Sequence, residues 1–293
     1  MTTTALPAST ERRVLRQLTR LQARRCATHP GYLVCVGLAV LTSVWTGTDG
    51  PTPVWAAEVT ISIAFFIGIG GLVIAHRLTV TEERAIALLP STPVHPTTRT
   101  LALLGACLVP LITGAVLTMA AVLVTVVWQP VADISRPAPG VVAGYGGWGF
   151  LAAEVIELGV VACFGGPALG VATARWLRFP GAGVVVACVL TITVAVFSAT
   201  SWQVGVLEES WPQRLLLRAS PWLSWAYDAN GHPFAVRLGS PPGHLLYAVA
   251  LSGLAVWAAV IKDAEGAQRV RWTRIGWTLT GLAAASYLWA LLG

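Results

Sequence analysis

The sequence predicts an all-α, polytopic membrane helix bundle, with six to seven transmembrane helices behind an N-terminal amphipathic interfacial helix. Three observations predict it. Hydrophobic residues fill 55% of the 293 positions and charged residues only 11%, where a water-soluble domain carries charge on about a quarter of its residues. Mean hydropathy is +0.70. The apolar residues fall in separate runs, most of them at least about 17 residues long, enough to cross a hydrocarbon core about 30 Å thick as a helix. A single soluble globule is excluded. The net charge of +6 then speaks to topology rather than to nucleic acid, which is not expected as a partner.

Residues 1–29 read as the interfacial helix. Val14, Leu15, Leu18 and Leu21 gather on one helical face, and Arg12, Arg13, Arg16, Arg20 and Arg24 occupy the opposite one, which suits a helix lying flat on an anionic leaflet. The alternative is a basic retention signal that only fixes topology. No apolar stretch with a small-residue cleavage site comes before the first span, so that span is expected to act as its own insertion signal.

The transmembrane bundle, residues 30–293, contains spans near 31–47, 54–75, 100–128, 141–176, 181–202, 244–261 and 275–292. With the N-terminus in the cytoplasm, fifteen of the nineteen Lys and Arg residues fall on the cytoplasmic side. The other side then holds Arg136, Arg214, Arg218 and Arg237, and this asymmetry predicts that orientation. Trp45, Trp55, Trp128, Trp176, Trp202, Trp257, Trp272 and Trp289 lie near span ends, where an amphipathic ring prefers the interface. Glu58 is placed at the outer interface. The five cysteines have no C-x-x-C spacing and no nearby histidine pair, so they read as small apolar packers and no metal site is expected.

The cytoplasmic segment 76–99 carries the most local information. Thr79 with Glu82 reads as a capping box opening a short helix that Pro90 and Pro93 terminate. Ile86 and Leu89 then project from one face, with Glu82, Glu83 and Arg84 at the start. Such a helix is suited to a groove on a partner protein, or it packs on its own bundle.

This order of elements, with Glu82-Glu83-Arg84, then Leu88-Leu89-Pro90-Ser91-Thr92-Pro93-Val94 and the basic Arg99, resembles the type-2 ABC exporter permease family. The resemblance implies that segment 76–99 is a coupling helix docking on an ATP-binding subunit. It also implies a permease dimer, homo- or heteromeric, in the inner (plasma) membrane of a bacterium. Glu82, Glu83, Arg84, Ile86 and Leu89 are the expected docking residues. The chain departs from the family pattern in a seventh span and in Leu89-Pro90-Ser91-Thr92, which stands where the family often has Leu-Pro-Val-Ser.

The long outer loop 203–243, aromatic at its centre, suits an interfacial or re-entrant hairpin over the outer mouth, and the resemblance implies an external gate there. Glu154 and Glu157 lie three residues apart in span four, where an ionised carboxylate costs about 2.5–3.5 kcal/mol or more. They either line a polar translocation pathway or, as the glycines at 144, 146, 147 and 149 favour, sit near the outer interface. Gly165-Gly166-Pro167 predicts a bend, serving as a hinge or a packing notch. His29, His76, His95, His232 and His244 are placed at membrane edges in contact with water.

The chain has no G-x-x-x-x-G-K-[ST], H-E-x-x-H or G-x-S-x-G, so no catalytic residues and no cofactor of its own are expected, and any ATP belongs to a partner. The function expected is that of a permease subunit moving a drug, peptide or lipid outward. A proton- or ion-coupled secondary transporter using Glu154 and Glu157 is the alternative, followed by a membrane scaffold or lipid enzyme.

Overall fold

The computed structural model of the chain describes residues 8–46, 59–88, 94–128, 148–177, 179–202, 211–222, 226–229, 232–236 and 239–292. Apart from one short hairpin, the described residues are mostly helical. Among the described residues five helices are long and apolar enough to cross a membrane: Val59–Ala85, Pro96–Val127, Ala152–Trp176, Pro241–Ile261 and Gly266–Leu292. A bent pair at the N-terminus raises the count to six, and a shorter apolar helix, Ala182–Val196, stands beside them.

Helix α1 (Ala8–Ala27) meets α2 (Pro30–Thr46) at an angle of 58°. Pro30 causes the break, because it lacks an N–H and its ring would clash with the carbonyl four residues back, while its fixed φ suits the first turn of a new helix. Arg12, Arg13, Arg16, Arg20 and Arg24 are all exposed, as the amphipathic pattern requires. The opposite face departs from expectation at two positions. Leu21 is exposed, and Gln22 is buried in its place.

Span two has no internal boundary. A π turn (Ala64–Ile69) leads directly into α3 (Gly70–Leu88), so the expected capping box at Thr79 and Glu82 does not form. The Thr79 hydroxyl instead donates to the Ala75 carbonyl at 2.8 Å, within one uninterrupted helix. With no proline between residues 70 and 88, nothing stops the span from continuing past the membrane. Ile86 lies in the last turn of α3, but its side chain is outside the described residues, as is Leu89 altogether.

Span three starts earlier than expected, at α4 (Pro96–Ala106). His95 caps it by accepting the Thr97 N–H, and Pro96 occupies the first turn. It breaks at Cys107 before α5 (Leu108–Trp128), since Pro110 cannot donate to the Ala106 carbonyl. In span four, α6 (Trp148–Ile156) joins α7 (Ala162–Trp176) through a second π turn, Glu157–Val161. Gly165-Gly166-Pro167 lies inside α7, just after that irregularity, and its two glycines serve as a packing notch. Then come α8 (Ala182–Trp202) and the short α9 (Trp211–Ala219). An antiparallel hairpin of β1 (Ala226–Ala229) and β2 (His232–Val236) follows, then α10 (Pro241–Ile261) and α11 (Gly266–Leu292). The last span thus opens nine residues before the expected 275, at Gly266, whose φ of 51° suits glycine.

The span-two and span-four helices form the centre, each with 67% of its most apolar window buried, against 33% or less for the other spans. They approach backbone to backbone. A β-carbon at Gly166 would collide with the Gly68 carbonyl, one at Gly170 with the Leu72 carbonyl, and one at Gly71 would lie 2.8 Å from Pro167 Cγ. Small residues drive such packing in lipid, where burying apolar surface gains nothing between helices. Gly166→Val should accordingly lower unfolding stability by about 1–3 kcal/mol, read by thermal unfolding in detergent. Gly281→Ala, with nothing within 4 Å of its added carbon, should leave the midpoint unchanged.

Candidate functional sites at the two ends of the bundle

Polar side chains gather at both ends of the central helix pair. At the end that carries α1, Gln22 Nε2 donates to Glu82 Oε2 at 3.0 Å. Glu83 pairs with Arg175 at 3.2 Å, and Arg175 lies 3.7 Å from Asp263. Asp263, in the turn between α10 and α11, also accepts from the Thr100 hydroxyl, while its carbonyl accepts from Thr97 Oγ1 at 3.1 Å. Lys262 donates to the Arg175 carbonyl and stands over the Trp176 ring.

One buried guanidinium thus ties α3, α7 and the α10–α11 turn together, and that turn holds the first turns of α4. An arginine suits this place because its planar fork reaches two carboxylates at once. Glu82 and Glu83, expected on a docking peg, bond to the chain's own α1 and to Arg175. Arg84 is exposed.

At the opposite end, Glu154 and Glu157 are fully buried. Both are enclosed within the protein, with Glu157 beside His244 at the start of α10. Glu157 Oε2 stands 2.8 Å from His244 Nδ1, and His244 Nε2 stands 3.0 Å from the Ser220 carbonyl. His244 is therefore not at a wet edge, and neither is His76, which is buried against Gly183. Arg218 and Leu217, from the outer loop, are buried too, and α9 packs against α8 and α11. Glu58, Glu208, Glu209 and Gly144 to Gly147 lie outside the described residues.

Between these ends, a cavity of about 540 Å³ opens beside the glycine notch, lined by Gly165, Gly166, Leu190, Trp222, Ser252 and Trp257. It is almost wholly apolar. Among the described residues no group of three His, Cys, Asp or Glu side chains is placed to hold a metal ion. Three of the five cysteines, Cys26, Cys107 and Cys163, are buried packers, whereas Cys188 is exposed.

Gln22, Asp263 and His244 were missed by sequence reasoning. A signal existed for two of them. Asp263 follows a span end at the same level as Arg175, and His244 sits in the first turn of a span at the level of Glu157.

Arg175→Leu leaves Glu83 and Asp263 without their shared cation, and should cost about 1–3 kcal/mol in thermal unfolding. Arg84→Leu, on an exposed position, should stay within about 0.5 kcal/mol of the parent. No family model matches the sequence, and neither a curated protein nor a solved structure matches it.

Proposed function

We propose that the chain is the transmembrane permease subunit of an ATP-driven exporter, resembling the type-2 ABC class. It works as a dimer with a separate ATP-binding subunit in a bacterial plasma membrane. The N-terminus is cytoplasmic, six to seven spans cross the bilayer, and α1 lies along the inner leaflet with its arginines toward the headgroups. The substrate, a drug, peptide or lipid, moves outward.

The observation that carries this reading is the clasp at Glu82 and Glu83. The segment proposed to meet the partner is continuous with span two and is tied through Glu82 to α1, and through Glu83 and Arg175 to span four and the α10–α11 turn. A push on it therefore reaches the central pair and the helix under the bundle together. Stiff helices joined by ion pairs transmit rigid-body motion where a slack loop would absorb it. Glu82 and Glu83 anchor the segment from within. Arg84, Ile86 and Leu89 are the residues proposed to meet the partner, where apolar contacts supply affinity.

The test is co-purification of the tagged chain from its native membranes, with bound proteins identified by mass spectrometry. A P-loop ATPase should be recovered, and Ile86→Asp with Leu89→Asp should reduce its yield by about tenfold or more. Recovery of the chain alone, or an ATPase held equally well by the double variant, would contradict the reading.

A second reading has an observation in its favour. The buried Glu154 and Glu157 beside His244 are what a proton-coupled transporter would use. Replacing both acids with glutamine should abolish proton-driven transport in that case, and leave ATP-dependent export intact in the first.

A further inference from the structure

The cavity beside the glycine notch is a slot between two helices. Both α8 and α10 pack on α7, and the slot separates them, with Leu190 of α8 on one side and Leu251 and Leu254 of α10 on the other. Its floor is Gly165 and Gly166 of α7, which bring no side chain into it. Along α10 the lining runs from Ala248 to Ala258, a rise of about 15 Å. That is half of a hydrocarbon core about 30 Å thick, the depth of the acyl chains of one leaflet.

The two ends of the slot differ. Toward α9, where that helix bridges α8 and α11, Pro221 and Trp222 bound it. The Trp222 ring is itself packed against Ala64, Leu158 and Ala162, beside Gly68 in span two. Toward α1 the lining ends at Trp257 and Ala258. There the Ala258 carbonyl accepts the indole N–H of the exposed Trp176 at 2.8 Å, and Lys262 stands over the Trp176 ring. An exposed tryptophan with a cation at a span end marks the level of the headgroups.

The chemistry of the lining selects an occupant. Among the described residues the hydroxyls in it are those of Ser252 and Thr280, and each donates to a carbonyl one turn back in its own helix at 2.9 Å. Water held in a cavity needs about two to four polar partners, which these walls do not offer. Left empty, a void of about 540 Å³ forfeits the dispersion contacts of its walls, and its volume is that of a ligand site, about 300–1,000 Å³. At this depth the bilayer supplies one filler in abundance, the alkyl chain.

We propose that the slot between α8 and α10 is a binding site for one acyl chain of a phospholipid from the leaflet on the α1 side. The headgroup lies beside Trp176 and Lys262, and the chain runs inward to Trp222. Trp222 follows α9 closely, so the bound chain also supports the seat of that helix. The site depends on the chain lying in a membrane and not on an ATP-binding partner.

The test is native mass spectrometry of the full chain, purified in detergent and incubated with dioleoyl phosphatidylglycerol. The parent should retain one lipid per chain. Ala255→Trp and Ala258→Trp, which put an indole into the slot, should each retain about tenfold less. Val249→Trp, on the exposed face of the same helix, should retain as much as the parent. In thermal unfolding the lipid should raise the midpoint of the parent and leave that of Ala258→Trp unchanged. Dodecane, an alkyl chain without a headgroup, distinguishes a bilayer lipid from a free apolar compound. No retained lipid in the parent, equal retention by Ala258→Trp, or a midpoint raised by dodecane and not by the lipid would overturn the proposal. Ala258 is partly exposed, so its variant decides the matter even if Ala255→Trp does not fold.

Discussion

The approach of span four to span two, backbone against backbone, is the contact on which the other features rest. In a lipid environment helices gain little from burying apolar side chains against each other, since the solvent is equally apolar. Close dispersion contact has to take its place, and it needs residues without bulk at the crossing. Gly166 and Gly170 supply that at the carbonyls of Gly68 and Leu72. The neighbouring spans then wrap this pair, with most of their surfaces left for lipid.

The same pair positions both polar sites. Glu157 and Arg175 belong to one helix, separated by roughly 27 Å of its length, so one acts near each end. Each side chain recruits partners from elements that arrive late in the chain: Asp263 in the last turn between spans, and His244 at the start of α10. Buried charges are tolerated only where partners neutralise them, and so each site fastens distant segments to the centre. Two π turns, Ala64–Ile69 and Glu157–Val161, lie in the two central spans. Such turns occur often at functional positions in helices, and here the second one carries Glu157 itself.

Much of this was legible in the sequence. Apolar runs predicted the spans because lipid forces every backbone group to bond within its own helix. The arginine face of α1 could be read because 3.6-residue periodicity survives without tertiary help. Residues at span ends were harder. Thr79 and Glu82 satisfy a capping pattern, yet the helix runs through them, because a cap forms only where the backbone departs from helical geometry. Gln22 looks like a solvated residue until Glu82, sixty positions away, is brought beside it. His244 and Glu157 are each unexceptional alone. Their meaning comes from a separation of eighty-seven residues closing to hydrogen-bond distance, which no local pattern encodes.

The central claim is that the α1 end meets a partner and that the α9 end does not. A photo-crosslinking amino acid placed singly at exposed position 84 or at exposed position 216, followed by illumination of intact membranes, tests it most directly. The account predicts an adduct between position 84 and an ATP-binding protein, and none with such a protein from position 216. An ATP-binding protein captured from position 216, or none captured from position 84, would contradict it.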